Sequence, residues 1–131
     1  MIVLAPILSG KENSPEFIEA LCKADKILLL TIVDREFAMK TTSAVSELMQ
    51  ARNIVVNIEA KLKENNKVFD EITEWGQTVK RITSLYVLRK VDKVLLMRQN
   101  NEFFNEVVLQ LEKEKINVEI IEPRIEVQEN K

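Results

Sequence analysis

Two unbroken apolar runs, residues 2–8 (IVLAPIL) and Lys26–Val33 (KILLLTIV), constrain the fold of this chain more than any other feature. A strand that shows one face to water alternates apolar with polar residues, whereas a strand covered on both faces reads as continuous hydrophobic sequence. Neither run approaches the ~18 apolar residues of a membrane span, so the cover has to be protein. Helices lying on both faces of a parallel sheet supply it.

The segments between such runs carry helical patterns. Ser14 and Pro15 read as the cap and first residue of a helix whose Phe17, Ile18, Leu21 and Cys22 share one face, since proline's missing N–H is no loss there. Residues 42–52 place Val45, Leu48 and Met49 at helical spacing, with Thr42 or Ser43 as cap. Residues 53–62 can be read two ways. Ile54, Val56, Ile58, Ala60 and Leu62 alternate with residues that include Asn57, Glu59 and Lys61, which favours a strand, but the segment also suits an extension of the preceding helix. Glu64, Asn65 and Asn66 then make a turn, because asparagine tolerates the left-handed conformation.

From there, Val68, Ile72, Trp75, Val79, Ile82 and Tyr86 follow steps of three or four and predict one face of a long helix, with Trp75 as a core anchor. Gly76 either kinks that helix or divides it into two pieces. Lys93–Met97 is the next strand, Phe103, Phe104, Val107, Val108 and Leu111 mark the next helix, and residues 117–121 add a strand that Pro123 stops. The predicted order is βαβαβαβαβ: an α/β, Rossmann-like domain with a five-stranded, mostly parallel sheet and helices on both faces. Residues 1–123 suffice for one such domain, and 124–131 form a C-terminal extension.

Composition narrows the function classes. A formal net charge of -2 and no basic run argue against a nucleic-acid partner, which needs a concentrated cationic face. Histidine is absent, which removes the usual general base, the His-containing triads and the Cys/His zinc patterns. Cys22 is the only cysteine. It forms no intrachain disulfide, fits inert packing, and agrees with a cytoplasmic location. The opening run is too short for the apolar region of a signal peptide and has no basic lead. No metal and no resident cofactor are expected.

In an open α/β sheet, ligands collect where strands end and the loops that follow diverge. Here that place is Ser9, Gly10 and Lys11 after the first strand and the loop Arg98-Gln99-Asn100-Asn101 after the fourth. Two cations, several amides and a permissive glycine can hold an anion. The more economical reading is that Gly10 only allows a turn while Lys11 and Arg98 are solvated. Asp34 and Glu36 form an acidic pair in the loop after the second strand; no further ligand pattern accompanies them, and a solvated loop explains them better. The run from Glu112 to Lys115 reads as a solvated helix end.

Several of these stretches resemble the universal stress protein family of α/β domains. Ile2-Val3-Leu4-Ala5-Pro6 resembles its opening strand, Thr31-Ile32-Val33-Asp34 the end of its second, Asn65 to Ile72 its turn into the third helix, and Asp92-Lys93-Val94-Leu95-Leu96-Met97 its fourth strand. The ligand-facing candidates are Ser9, Gly10, Lys11, Val33, Asp34, Arg98, Asn100 and Asn101, at the ends of the first, second and fourth strands. Two features differ. The family's ATP-binding members have an aspartate just after the first strand, where this chain has Leu8 or Ser9, and a glycine-rich loop after the fourth, where it has Arg98-Gln99-Asn100-Asn101. A phosphate cradle needs closely approaching backbone N–H groups, which glycine favours, so the resemblance implies weak or absent ATP binding.

The resemblance also implies a homodimer paired near the last strand, with Val118, Ile120, Ile125 and Val127 as candidates. The expected function is a non-enzymatic binding or regulatory module, with a small-molecule ligand and no nucleic-acid or membrane partner. The alternative is a nucleotide-binding protein or slow ATPase that takes ATP or another adenine nucleotide with Lys11, Arg98 and Asn100. A third reading, an unrelated small enzyme, would have to rely on Asp34, Glu36, Lys11 or a bound metal.

Overall fold

The computed structural model describes residues 1–8, 10–33 and 44–123. They form strands β1 (Ile2–Pro6), β2 (Lys26–Val33), β3 (Val68–Trp75), β4 (Lys93–Met97) and β5 (Val118–Ile121). Helices α1 (Pro15–Leu21), α2 (Ala44–Glu64), α3 (Thr78–Leu88) and α4 (Glu102–Lys113) alternate with them. Every strand pairing is parallel, and the strand order is β3-β2-β1-β4-β5.

The apolar runs become the central strands because both of their faces are needed. Successive strand residues point to opposite faces. Val3, Ala5, Ile27, Leu29, Leu95 and Met97 enter one core with Phe17 and Leu21 of α1 and Ile54, Val55, Ile58 and Leu62 of α2. Leu4, Leu28, Leu30, Val94 and Leu96 enter a second core with Ile82 and Leu85 of α3 and Phe104, Val107 and Leu111 of α4. Cys22 is partly buried against the first core. Ser14 caps α1, its hydroxyl oxygen accepting the Phe17 N–H at 3.4 Å, and Pro15 occupies the first turn.

Two expectations are overturned. Residues 53–62 are not a strand: they continue α2, which runs unbroken to Glu64. Ile54, Val55, Ile58 and Leu62 are buried while Val56 is 47% exposed, the stripe of a helix. The predicted long helix from Val68 instead begins with strand β3, so the turn at Asn65 and Asn66 leads into the third strand and not the third helix. Asn66 adopts φ 57, the left-handed conformation expected of it. Gly76, at φ 137, is the junction between β3 and α3. Trp75 is no core anchor; it lies at the end of an edge strand and is 64% exposed.

That edge strand is lined with carboxylates, each with a cation beside it. Asp70 lies 3.2 Å from both Lys26 and Arg89, Glu71 pairs with Arg52, and Arg81 approaches Glu74 at 3.8 Å. Above it on α2, Glu59 has its pKa raised from the ordinary 4.5, first by burial and then by the neighbouring Glu71 carboxylate. The folded state therefore holds this proton more tightly than the unfolded chain, and stability falls as pH rises above about 4.5 through the elevated value. Glu59→Gln is expected to flatten that dependence and to stabilise the protein at neutral pH by about 0.5 kcal/mol or less. Urea unfolding of both forms at pH 4 and pH 7 checks this; an equal effect at both pH values would disprove it.

Among the described residues, no helix is long and apolar enough to cross a membrane.

Candidate functional site

The strand order reverses between β1 and β4: from β1 the chain steps outward to β2 and β3, then returns to place β4 and β5 on the other side. The loops that leave β1 and β4 diverge there and open a crevice at the carboxyl ends of the strands. The cap of α1 touches the end of β4 here, with the Ser14 hydroxyl donating to Met97 Sδ at 3.7 Å.

On the β1 side, Gly10 has φ 81, a conformation that side-chain-bearing residues rarely adopt. The Cδ1 of Ile54 lies 3.9 Å from where a Cβ on Gly10 would sit. Lys11 is exposed. The dominant group of this loop is Glu12, which is only 1% exposed. Its Oε2 accepts the Leu8 N–H at 3.0 Å and its Oε1 accepts the Gly10 N–H at 3.0 Å. A buried carboxylate is tolerated only when paired or well hydrogen-bonded, and this one gathers the backbone N–H groups of Leu8 and Gly10.

On the β4 side, Arg98 turns toward β5. Its Nε and Nη2 donate to Glu122 Oε2 at 3.1 and 2.9 Å, and its guanidinium lies 5.6 Å from the Phe104 ring centroid. The Glu122 hydrogen bonds hold the Arg98 pKa above its ordinary value. Asn101 is the cap of α4: its Oδ1 accepts the Phe104 N–H at 2.7 Å and its Nδ2 donates to Gln99 Oε1 at 2.8 Å. Asn100 is exposed. Gln99 Nε2 is buried without a hydrogen-bond partner among the described residues.

Of the residues expected in the site, Gly10 and Lys11 thus follow β1, and Arg98, Asn100 and Asn101 follow β4. Val33 ends β2 buried, with its carbonyl accepting the Gly76 N–H at 3.0 Å. Ser9 and Asp34 lie outside the described residues, as do Glu36, Thr42, Ser43, Ile125 and Val127. Val118 and Ile120 of the edge strand β5 pack partly buried against the second core. Gln99 enters the sequence reading only as part of the loop 98–101, and Glu12 carries no sequence signal at all. Lys11-Glu12-Asn13 looks like any solvated polar turn, and only the folded loop reveals the acid as buried. Chemically, the crevice offers hydrogen-bonding amides and an exposed lysine. Among the described residues, no group of three or more His, Cys, Asp or Glu stands ready for a metal.

No family model matches the sequence, and no curated protein is significantly similar to it. Solved structures are similar over nearly the whole chain. The hypothetical protein MJ0577 has a TM-score of 0.69 at 17% identity, covering 95% of this chain and 97% of its own. The hypothetical protein PH0823 has a TM-score of 0.60 at 19% identity, covering 96% and 98%. A universal stress protein in complex with cAMP has a TM-score of 0.59 at 14% identity, covering 93% and 96%. The chain therefore has the Rossmann-like α/β fold of MJ0577 and of a universal stress protein.

Proposed function

We propose that this protein is a non-enzymatic, universal-stress-protein-like binding or regulatory module that works in the cytoplasm, pairs with a second copy, and binds ATP weakly or not at all. One observation carries the reading: groups that a polyphosphate would recruit in the crevice are already committed within the chain. Glu12 takes the Leu8 and Gly10 N–H groups, Glu122 takes the Arg98 guanidinium, and Asn101 is spent on capping α4. The loop 98–101 contains no glycine, so its backbone has less freedom to wrap a phosphate. A ligand there meets neutral amides and Lys11.

One structure of this fold was determined with cAMP, and the competing reading keeps adenine nucleotides as ligands through Lys11, Arg98 and Asn100. Titration calorimetry with ATP, ADP, AMP and cAMP, with and without magnesium, separates the two. No binding tighter than about 100 µM is expected for ATP, a free energy near -5.5 kcal/mol. Micromolar binding that disappears in Arg98→Ala would establish the nucleotide-binding reading instead.

Pairing of copies is assigned to the β5 edge, where Val118 and Ile120 lie and where Ile125 and Val127 follow in sequence. An edge strand presents unpaired backbone groups that a second strand satisfies. Sedimentation at high micromolar concentration is expected to show a dimer, and a monomer there would remove this part of the reading.

A further inference from the structure

A second surface owes nothing to the crevice. Helices α3 and α4 enclose a groove of about 950 Å³ on the outside of the second core. Val87, Leu88 and Phe103 line it and remain 67%, 76% and 39% exposed. We propose that this groove takes a short extended peptide segment of a partner protein, apolar in the middle, acidic at one end and basic at the other.

The charge pattern sets the ends. Both helices return from the carboxyl end of a strand to the start of the next parallel strand, so their N-termini, with partial positive charge, lie at the same end of the groove. Lys80 and Arg81 line that end, and the first turn of α3 has no acidic residue. Arg81 also lies 3.8 Å from Glu74, and Glu102 sits in the first turn of α4, so the positive end is moderated but not cancelled. Glu114 lines the opposite end, just past Lys113 in the last turn of α4, and Glu106 lies between.

Two groove-lining residues carry polar atoms, Arg81 Nε and Thr83 Oγ1, that are buried without hydrogen-bond partners among the described residues. Both atoms are closed to solvent as they stand, so a ligand's acceptors reach them only once the two side chains turn into the groove, and that turn relieves the deficit. An extended chain offers main-chain carbonyls for this, whereas a docked helix has spent its own internally. Length agrees: the 11 residues of α3 span about 16 Å at 1.5 Å each, which about five extended residues match. A second copy is a poorer occupant. Two helices of this length present a face of about 16 by 20 Å, so copies meeting there bury roughly 650 Å², well under the ~1,200 Å² of a stable interface.

The probe is a blocked pentapeptide with aspartate and lysine at its ends and leucine, threonine and leucine between, titrated into isotope-labelled full-length protein by NMR. Sub-millimolar binding is expected, with amide shifts centred on Thr83, Val87, Leu88 and Phe103. The double variant Val87→Gln/Leu88→Gln should weaken binding at least about fivefold while its thermal unfolding stays near wild type, since both side chains are exposed. Lys80→Glu should weaken it about two- to fivefold and leave unchanged the binding of a control peptide with glutamine at both ends. Absence of shifts at ~2 mM peptide, shifts centred on Gly10 and Asn100, or undiminished binding by the double variant would each overturn the proposal. So would a wild-type dimer in sedimentation that the double variant alone abolishes, which would assign the face to self-association. ATP binding by the wild-type protein would remove the reading of the crevice and leave this one standing.

Discussion

Replacing Glu12 by alanine is expected to lower the stability of the protein by about 2–4 kcal/mol, a large effect for one residue in a polar loop. The wild-type carboxylate is buried and receives the Leu8 and Gly10 N–H groups, one on each oxygen, at 3.0 Å. Hydrogen bonds to a charged group contribute about 1.5–3 kcal/mol each, and a buried donor left without an acceptor costs about 1–3 kcal/mol. Alanine removes both acceptors and opens the loop to water, which recovers part of the loss. For a domain of this size, the fall corresponds to roughly 8–15 °C in Tm. Glu12→Gln keeps one acceptor oxygen and should lose about half as much. Thermal and urea unfolding of both variants checks the ordering. A loss below about 1 kcal/mol in the alanine variant would show that the loop holds its shape without the carboxylate.

Val56→Pro is expected to cost about 3 kcal/mol or more, while Val56→Ala leaves stability unchanged or slightly raised. Val56 is 47% exposed in the interior of the 21-residue α2. Proline there removes an N–H from the helical ladder and crowds the carbonyl four residues back, whereas alanine is the best helix former and gives up little buried surface. The contrast between the two variants tests the backbone directly. In a strand, valine to alanine would itself be unfavourable by up to ~1 kcal/mol. Circular dichroism with urea titration gives the reading, and two variants of equal stability would be incompatible with a helix at this position.

Residue 56 also shows why this region misleads a reader of the sequence. Ile54, Ile58 and Leu62 recur every four residues, and four is a multiple of the strand period as well as close to one helical turn. Val56 and Ala60 completed an apparent alternation. Val55, buried beside Ile54, was the side chain that fitted only the helix. For β3 the difficulty is different. An edge strand has one neighbour and partial cover, so Val68–Trp75 lacks the continuous apolar run of β1, β2 and β4, and the cations beside its Asp70, Glu71 and Glu74 sit on other elements, β2, α2 and α3. Gly76 was visible as an interruption, but its φ of 137 makes it the boundary between two kinds of structure. The central strands were legible because burial on both faces leaves a local mark. Strand alternation put the two loops at strand ends but left open whether the first and fourth strands are neighbours, which the β1–β4 pairing supplies. The chemistry of the crevice was not legible, since the partners that occupy Gly10 and Arg98 come from Glu12, two residues away in a turn, and Glu122, beyond β5.

The acidic rim of β3 has a consequence for how such sheets can join. Its outer edge is a polymerisation hazard, a row of backbone groups able to template a further strand. A copy of β3 laid against it would bring Asp70, Glu71 and Glu74 close to their counterparts, and like charges opposed across strands are unfavourable. The lysine and arginine partners already pair with the carboxylates of their own chain, which moderates that repulsion without removing it. The two rims of the sheet are therefore unequal. If the other rim pairs copies as proposed, an unreceptive β3 rim would leave such pairing to close as a dimer and not to propagate as a fibre.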